Sequence, residues 1–113
     1  MIMNEINVTG SIVLYKENLS DLHKTIDSFM QIVSSKKLFL IDNTPDNFFE
    51  YVFVNENIEY IPLAENVGFG AAHNKIISKI KNRSKYHLIL NPDVFFNKNV
   101  IEDLLAQLKK NAA

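Results

Sequence analysis

A chain of 113 residues has room for one compact domain and not two. Its 12 basic and 13 acidic residues leave no general attraction to nucleic acid or to an anionic membrane, and a hydrophobic content of 47% excludes wholesale disorder. The absence of cysteine removes disulfides and thiolate metal sites and suits a reducing compartment, and no apolar run nears the roughly 20 residues that span a bilayer.

Asn7 to Tyr15 predicts a first strand, with Val8, Ile12, Val13 and Leu14 apolar. From Leu19 to Val33 the residues Leu19, Leu22, Ile26, Phe29, Met30 and Val33 recur at helical spacing. Ser20 stands as the N-cap, and Lys36-Lys37 closes the helix with charges suited to its C-terminal dipole. Leu38 to Ile41 is a short, continuously apolar strand that runs into Asp42-Asn43, and Thr44-Pro45-Asp46 is a turn signal. The segment 47–55 fits either a short helix or a strand. Ile58 to Leu63 predicts a third strand, with Pro62 marking an edge or a strand end. Gly70 to Ile80 predicts a helix with Ala71, Ala72, Ile76, Ile77 and Ile80 turned inward. Tyr86 to Leu90 predicts a fourth strand, and Val100 to Leu108 a last helix with the stripe Ile101, Leu104, Leu105 and Leu108. Strands alternating with helices predict an α/β domain: a Rossmann-like, mainly parallel sheet of about four strands covered on both faces.

In such a sheet, ligands sit beyond the carboxyl ends of the strands. That rule gathers Tyr15-Lys16-Glu17, Asp42-Asn43, the loop from Asn66 to Asn74, and Asn91-Pro92-Asp93 on one rim. Pro92 fixes its own φ and pushes Asn91 toward an extended backbone, so the tripeptide presents two oxygen-bearing side chains stiffly. Its plainer reading is an Asx turn at a strand end. Gly68 and Gly70 let the backbone approach a ligand, and the helix that follows aims N–H groups at a phosphate. The dinucleotide fingerprint fails here, because His73 stands at its third glycine and the loop follows the third strand. Asp42 either accepts hydrogen bonds from a base or ribose or caps the turn before Pro45. Asp93 is the candidate metal ligand: one carboxylate plus phosphate oxygens suffices for Mg2+ or Mn2+, so metal binding is expected to require nucleotide. His23 and His87 fit structural or surface roles, while His73, on the glycine-loop helix, is a secondary candidate for facing ligand.

Taken together, Ser11 to Lys16, Leu40 to Thr44, Asn66 to Asn74 and Leu88 to Val94 resemble, in order and spacing, the family 2 inverting glycosyltransferases. The likeness is nearest to the bacterial rhamnosyltransferase-like branch, where Asn-Pro-Asp often replaces Asp-x-Asp. The resemblance implies the nucleotide-sugar-binding half of the GT-A architecture over residues 1–113. Leu14, Tyr15 and Glu17 would line the nucleobase pocket, and Asp42, with Asn43 beside it, would bond the base or its ribose. Asn66, Gly68, Gly70 and Asn74 would shape the nucleotide pocket. Asn91 would make an altered ribose contact, and Asp93 would reach the divalent cation on the diphosphate.

The same resemblance implies a hexosyltransferase-type enzyme, with a dTDP- or UDP-linked sugar as donor and a glycan or lipid-linked acceptor. Surface polysaccharide synthesis is the expected setting, in the cytoplasm or at the inner face of the membrane. The general base of this family comes from later in the catalytic domain. This chain runs about 20 residues past Asp93, where such domains need on the order of 200 in all. The expectation is therefore a truncated domain that lacks its acceptor-binding half and is inactive alone. The alternative is a non-catalytic relative that binds nucleotide or dimerises through surface exposed by truncation. A receiver-like signalling domain is disfavoured, since no acid pair follows the first strand.

Overall fold

The computed structural model describes residues 6–33, 35–44, 55–63, 65–80 and 84–111. In chain order they form β1 (Ile6–Leu14), α1 (Leu19–Met30), β2 (Lys36–Asp42), β3 (Ile58–Pro62), α2 (Phe69–Ile80), β4 (Ser84–Leu90) and α3 (Lys98–Asn111). The turn around Pro45 and most of the ambiguous segment 47–55 lie outside the described residues. The four strands pair in parallel, in the order β3-β2-β1-β4. The expected α/β architecture is therefore present, and Pro62 does end a strand at the sheet's edge.

Strand periodicity splits β1 between two cores. Val8, Ile12 and Leu14 join Leu38 and Leu40 under Leu22, Ile26 and Phe29 of α1 and Ile101 and Leu105 of α3. Val13, Phe39 and Ile41 turn the other way, against Ala72, Ile76 and Ile80 of α2. Gly10 is what lets α1 sit close: a Cβ there would stand 2.6 Å from a ring carbon of Phe29. The aromatic ring takes the space that any side chain on β1 would fill.

The helix ends and stripes differ from the sequence expectation in instructive ways. The N-cap of α1 is Asn18, not Ser20, because the Asn18 side chain accepts from the Asp21 N–H at 3.0 Å. The helix stops at Met30, so helical spacing no longer applies beyond it: Ile32 is buried and Val33 is 81% exposed. Lys36 and Lys37 do not close α1 but open β2, paired with Val8 and Thr9 of β1. On α2, Ala71 and Ile77 face out and His73 is buried in their stead. On α3, Ile101 and Leu105 reach the core, whereas Leu104 and Leu108 remain exposed.

Candidate functional site

Because every strand runs the same way, the tips Leu14, Asp42, Pro62 and Leu90 share one edge of the sheet. Around β1 and β2 that edge is knitted together by buried side chains. The Asn43 N–H donates to the Leu14 carbonyl at 2.7 Å, and the Asn43 Oδ1 accepts from the Val67 N–H at 3.1 Å. One nearly fully buried amide thus ties β1, β2 and the glycine loop. Thr44 accepts from the Lys16 N–H at 3.0 Å. That bond holds Lys16 at a φ of 52°, a left-handed backbone that costs a non-glycine residue about 1–3 kcal/mol. The Asp42 carboxylate is fully buried: Oδ1 accepts from the Thr44 N–H at 2.9 Å and Oδ2 from the Tyr60 hydroxyl.

The glycine loop starts with an Asx turn, in which Asn66 Oδ1 accepts from the Gly68 N–H at 3.0 Å. Gly68 has a φ of 90°, a conformation that only glycine takes without strain. Gly70 lies in the first turn of α2 and Asn74 in the second, and both are exposed.

The β4 side of the rim is built differently. Asn91 and Asp93 are exposed, and Glu17, just past the tip of β1, is partly buried. The Glu17 Oε1 accepts from the Tyr15 N–H at 3.3 Å. Burial pushes the Glu17 carboxyl above its ordinary value; the Tyr15 bond opposes this, and the negative charge of Asp93 adds to it. Two oxygen-donor carboxylates thus repel each other at this end of the rim, an arrangement that a hard divalent cation would relieve. Among the described residues no group of three or more His, Cys, Asp or Glu could hold a metal, so a cation here would need further oxygens from its ligand.

Below the rim, the α2 face of the sheet carries a polar chain that the sequence reading did not find. The Ser11 hydroxyl lies 2.6 Å from His73 Nδ1 and 2.9 Å from His87 Nε2, and Thr9 Oγ1 lies 2.8 Å from His87 Nδ1. Thr9 is also 3.1 Å from Ser84 Oγ, and Ser84 donates to the Tyr86 carbonyl at 2.7 Å. One proton order fits every contact in the chain and leaves the buried His73 Nε2 as an acceptor without a partner among the described residues. His73 Nδ1–H gives to Ser11, Ser11 to His87 Nε2, His87 Nδ1–H to Thr9, and Thr9 to Ser84. Both imidazoles are then neutral. Burial holds both below the ordinary histidine value, and for His87 the nearby His73 adds to the effect. His73 therefore turns inward, with Phe69 edge-on to its ring at 4.4 Å, rather than toward a ligand.

Of the residues anticipated for the site, Tyr15, Asn66, Gly68, Gly70, Asn74, Asn91 and Asp93 are exposed and Glu17 is partly so. Leu14, Asp42 and Asn43 are buried and form the frame beneath them. Sequence reasoning missed Thr25 and Ser28 of α1. The Thr25 hydroxyl donates to the Pro92 carbonyl at 2.7 Å, and Ser28 accepts from the Phe96 N–H at 3.1 Å. The available signal was two hydroxyl residues set into the apolar stripe of Leu22, Ile26 and Phe29.

The profile of the family described as Glycosyl transferase family 2 matches residues 11–113. Among solved structures, the chain resembles Staphylococcus aureus TarS with a TM-score of 0.73 at 15% identity, over 93% of this chain and 20% of that one. The likeness is one of fold, and this chain spans about a fifth of the length of TarS. No curated protein matches the chain in sequence. Among the described residues no helix is long and apolar enough to cross a membrane.

Proposed function

The chain belongs to glycosyl transferase family 2, and from that premise we propose that it is the donor-binding portion of a hexosyltransferase. The enzyme would move a sugar from a dTDP- or UDP-linked donor to a glycan or lipid-linked acceptor, in surface polysaccharide synthesis at the inner face of the membrane. The rhamnosyltransferase-like branch remains the proposed subgroup on the strength of Asn91-Pro92-Asp93. The observation that carries the reading is the exposed Asp93 carboxylate, set just past the tip of β4 within electrostatic reach of Glu17.

In this reading Tyr15 and the buried frame of Leu14, Asp42 and Asn43 shape the base and ribose end of the pocket. Backbone N–H groups near Gly68 and Gly70 approach the phosphates. Asp93 holds Mg2+ or Mn2+, which when bound offsets negative charge on the departing diphosphate. Glu17 keeps a second carboxylate oxygen near that cation. Asn91, as a neutral amide, offers hydrogen bonds without adding charge.

Calorimetric titration with UDP, dTDP and GDP, with and without Mn2+, tests the reading. Weak binding of UDP or dTDP that tightens with Mn2+ supports it, and Asp93→Asn should remove the metal's contribution while leaving metal-free binding unchanged. No affinity for any of the nucleotides in either condition would refute it. A second reading, an association module, draws on the exposed stripe Val100, Leu104 and Leu108 of α3. A strictly monomeric species in concentrated sedimentation runs would remove it.

A further inference from the structure

We infer that Thr25 and Ser28 of α1 are the positioning residues that aim Asp93, by clamping the main chain on both sides of it. This inference deepens the donor-binding reading and rests on it for its functional meaning.

β4 is an edge strand among the described residues, and its last pairing is Leu90 with Ile12. Beyond Leu90 no sheet ladder among the described residues holds the backbone. The turn's own bond, from the Val94 N–H to the Asn91 carbonyl, is 3.3 Å long. Stronger restraint comes from outside the turn. The Pro92 carbonyl takes the Thr25 hydroxyl proton at 2.7 Å, closer than the Asp21 carbonyl that competes for it at 3.1 Å. The Ser28 hydroxyl donates to Lys24 O at 2.9 Å, which leaves its lone pair for the Phe96 N–H. Asp93 lies between these two clamped points.

The clamp itself cannot drift. Thr25 is fully buried and Ser28 is 7% exposed. Their helix is seated by Leu22, Ile26 and Phe29, with the Phe29 ring against Gly10. Lys24 places its ammonium 5.5 Å from the Phe95 ring centroid, so the same helix touches the turn at a third point. A carboxylate on an exposed turn would otherwise sample many directions. Fixed main-chain anchors narrow that range, which is what a cation site with so few protein carboxylates requires.

The test uses the full chain with Thr25→Val, Thr25→Ser and Ser28→Ala. Two readouts are taken: the Mn2+-induced gain in UDP affinity and the amide exchange rates of Val94 and Phe96. Thr25→Val removes the donor but keeps the shape. It should cut the metal gain about fivefold, the worth of one hydrogen bond, and leave metal-free affinity unchanged. Thr25→Ser should restore the gain, and Ser28→Ala should speed exchange at Phe96. Unaltered exchange of β1 and β2 amides identifies variants that fold normally. A Thr25→Val protein that keeps both the metal gain and slow exchange overturns the inference. Should the wild-type chain show no metal gain at all, the donor reading fails. The exchange rates then decide the clamp: faster exchange in Thr25→Val upholds it and unchanged exchange refutes it.

Discussion

Two sectors of one rim are held by opposite means. At the β1–β2–glycine-loop sector, buried side chains on the strand ends reach up and bind loop backbone: Asn43 to Val67, Thr44 to Lys16, Asp42 to Thr44. At the β4 sector the Asp93 side chain itself is exposed, and a neighbouring helix holds the backbone on either side of it. The first sector is a frame, because none of its groups can move without stranding a buried or part-buried donor or acceptor. The second leaves its carboxylate in water, where its charge costs little. The proposed donor site would use both: fixed walls for a flat base, and a carboxylate that would hold a cation against the diphosphate.

The comparison breaks most visibly at Asn43. Asn43→Ala leaves the part-buried Val67 N–H without its acceptor and should cost about 1 kcal/mol, read as a lower urea midpoint. Nucleotide affinity should fall equally with and without Mn2+, unlike the metal-specific loss expected at Asp93 and Thr25. A variant of unchanged stability would mean that the frame is not a frame.

Acid should weaken the molecule from beneath. His73 and His87 have folded pKa values below their ordinary value of about 6.5, so the unfolded chain binds more protons in that range. Stability from the neutral imidazole chain is complete above about pH 6.5 and is lost as pH falls through that value toward the lower folded values. Urea midpoints at about pH 7.5 and about pH 5.5 should therefore differ, the acid one being lower, and Ser11→Ala should lower the neutral-pH midpoint. Equal midpoints would contradict the neutral proton chain.

The smallest effect is expected at Glu17. Its folded pKa is raised, so the folded state binds more protons and Glu17 contributes a penalty above that pKa. Glu17→Gln should slightly raise stability near neutral pH, and the gain should vanish below about pH 4.5, where Glu17 is protonated in both states. A gain that persists in acid would assign the effect to something other than charge.

Much of the architecture was legible because β1, β2 and the helices bury apolar runs of distinct period, and alternation of strands with helices dictates parallel pairing. The tip residues were legible for the same reason: parallel strands bring their carboxyl ends together wherever the residues fall in sequence. What periodicity could not show is the partner of a polar residue. Thr9 and Ser11 look like ordinary positions in β1, and their histidines come from 62 to 78 residues away. The inward turn of His73 follows from that Ser11 contact. Thr25 likewise reads as a tolerated polar residue until the Pro92 carbonyl, 67 residues on, is seen beside it. Helix ends were misplaced where a cap competed: Asn18 and Ser20 are both good caps, and only the Asp21 bond decides between them.

The most direct test of a single donor site spanning both sectors is amide chemical-shift mapping during titration with UDP or dTDP and Mg2+. The account predicts perturbations clustered at residues 15–17, 66–70 and 91–94, with those at 91–94 appearing only when metal is present. Perturbations confined to the opposite end of the strands, or none at saturating nucleotide, would contradict it.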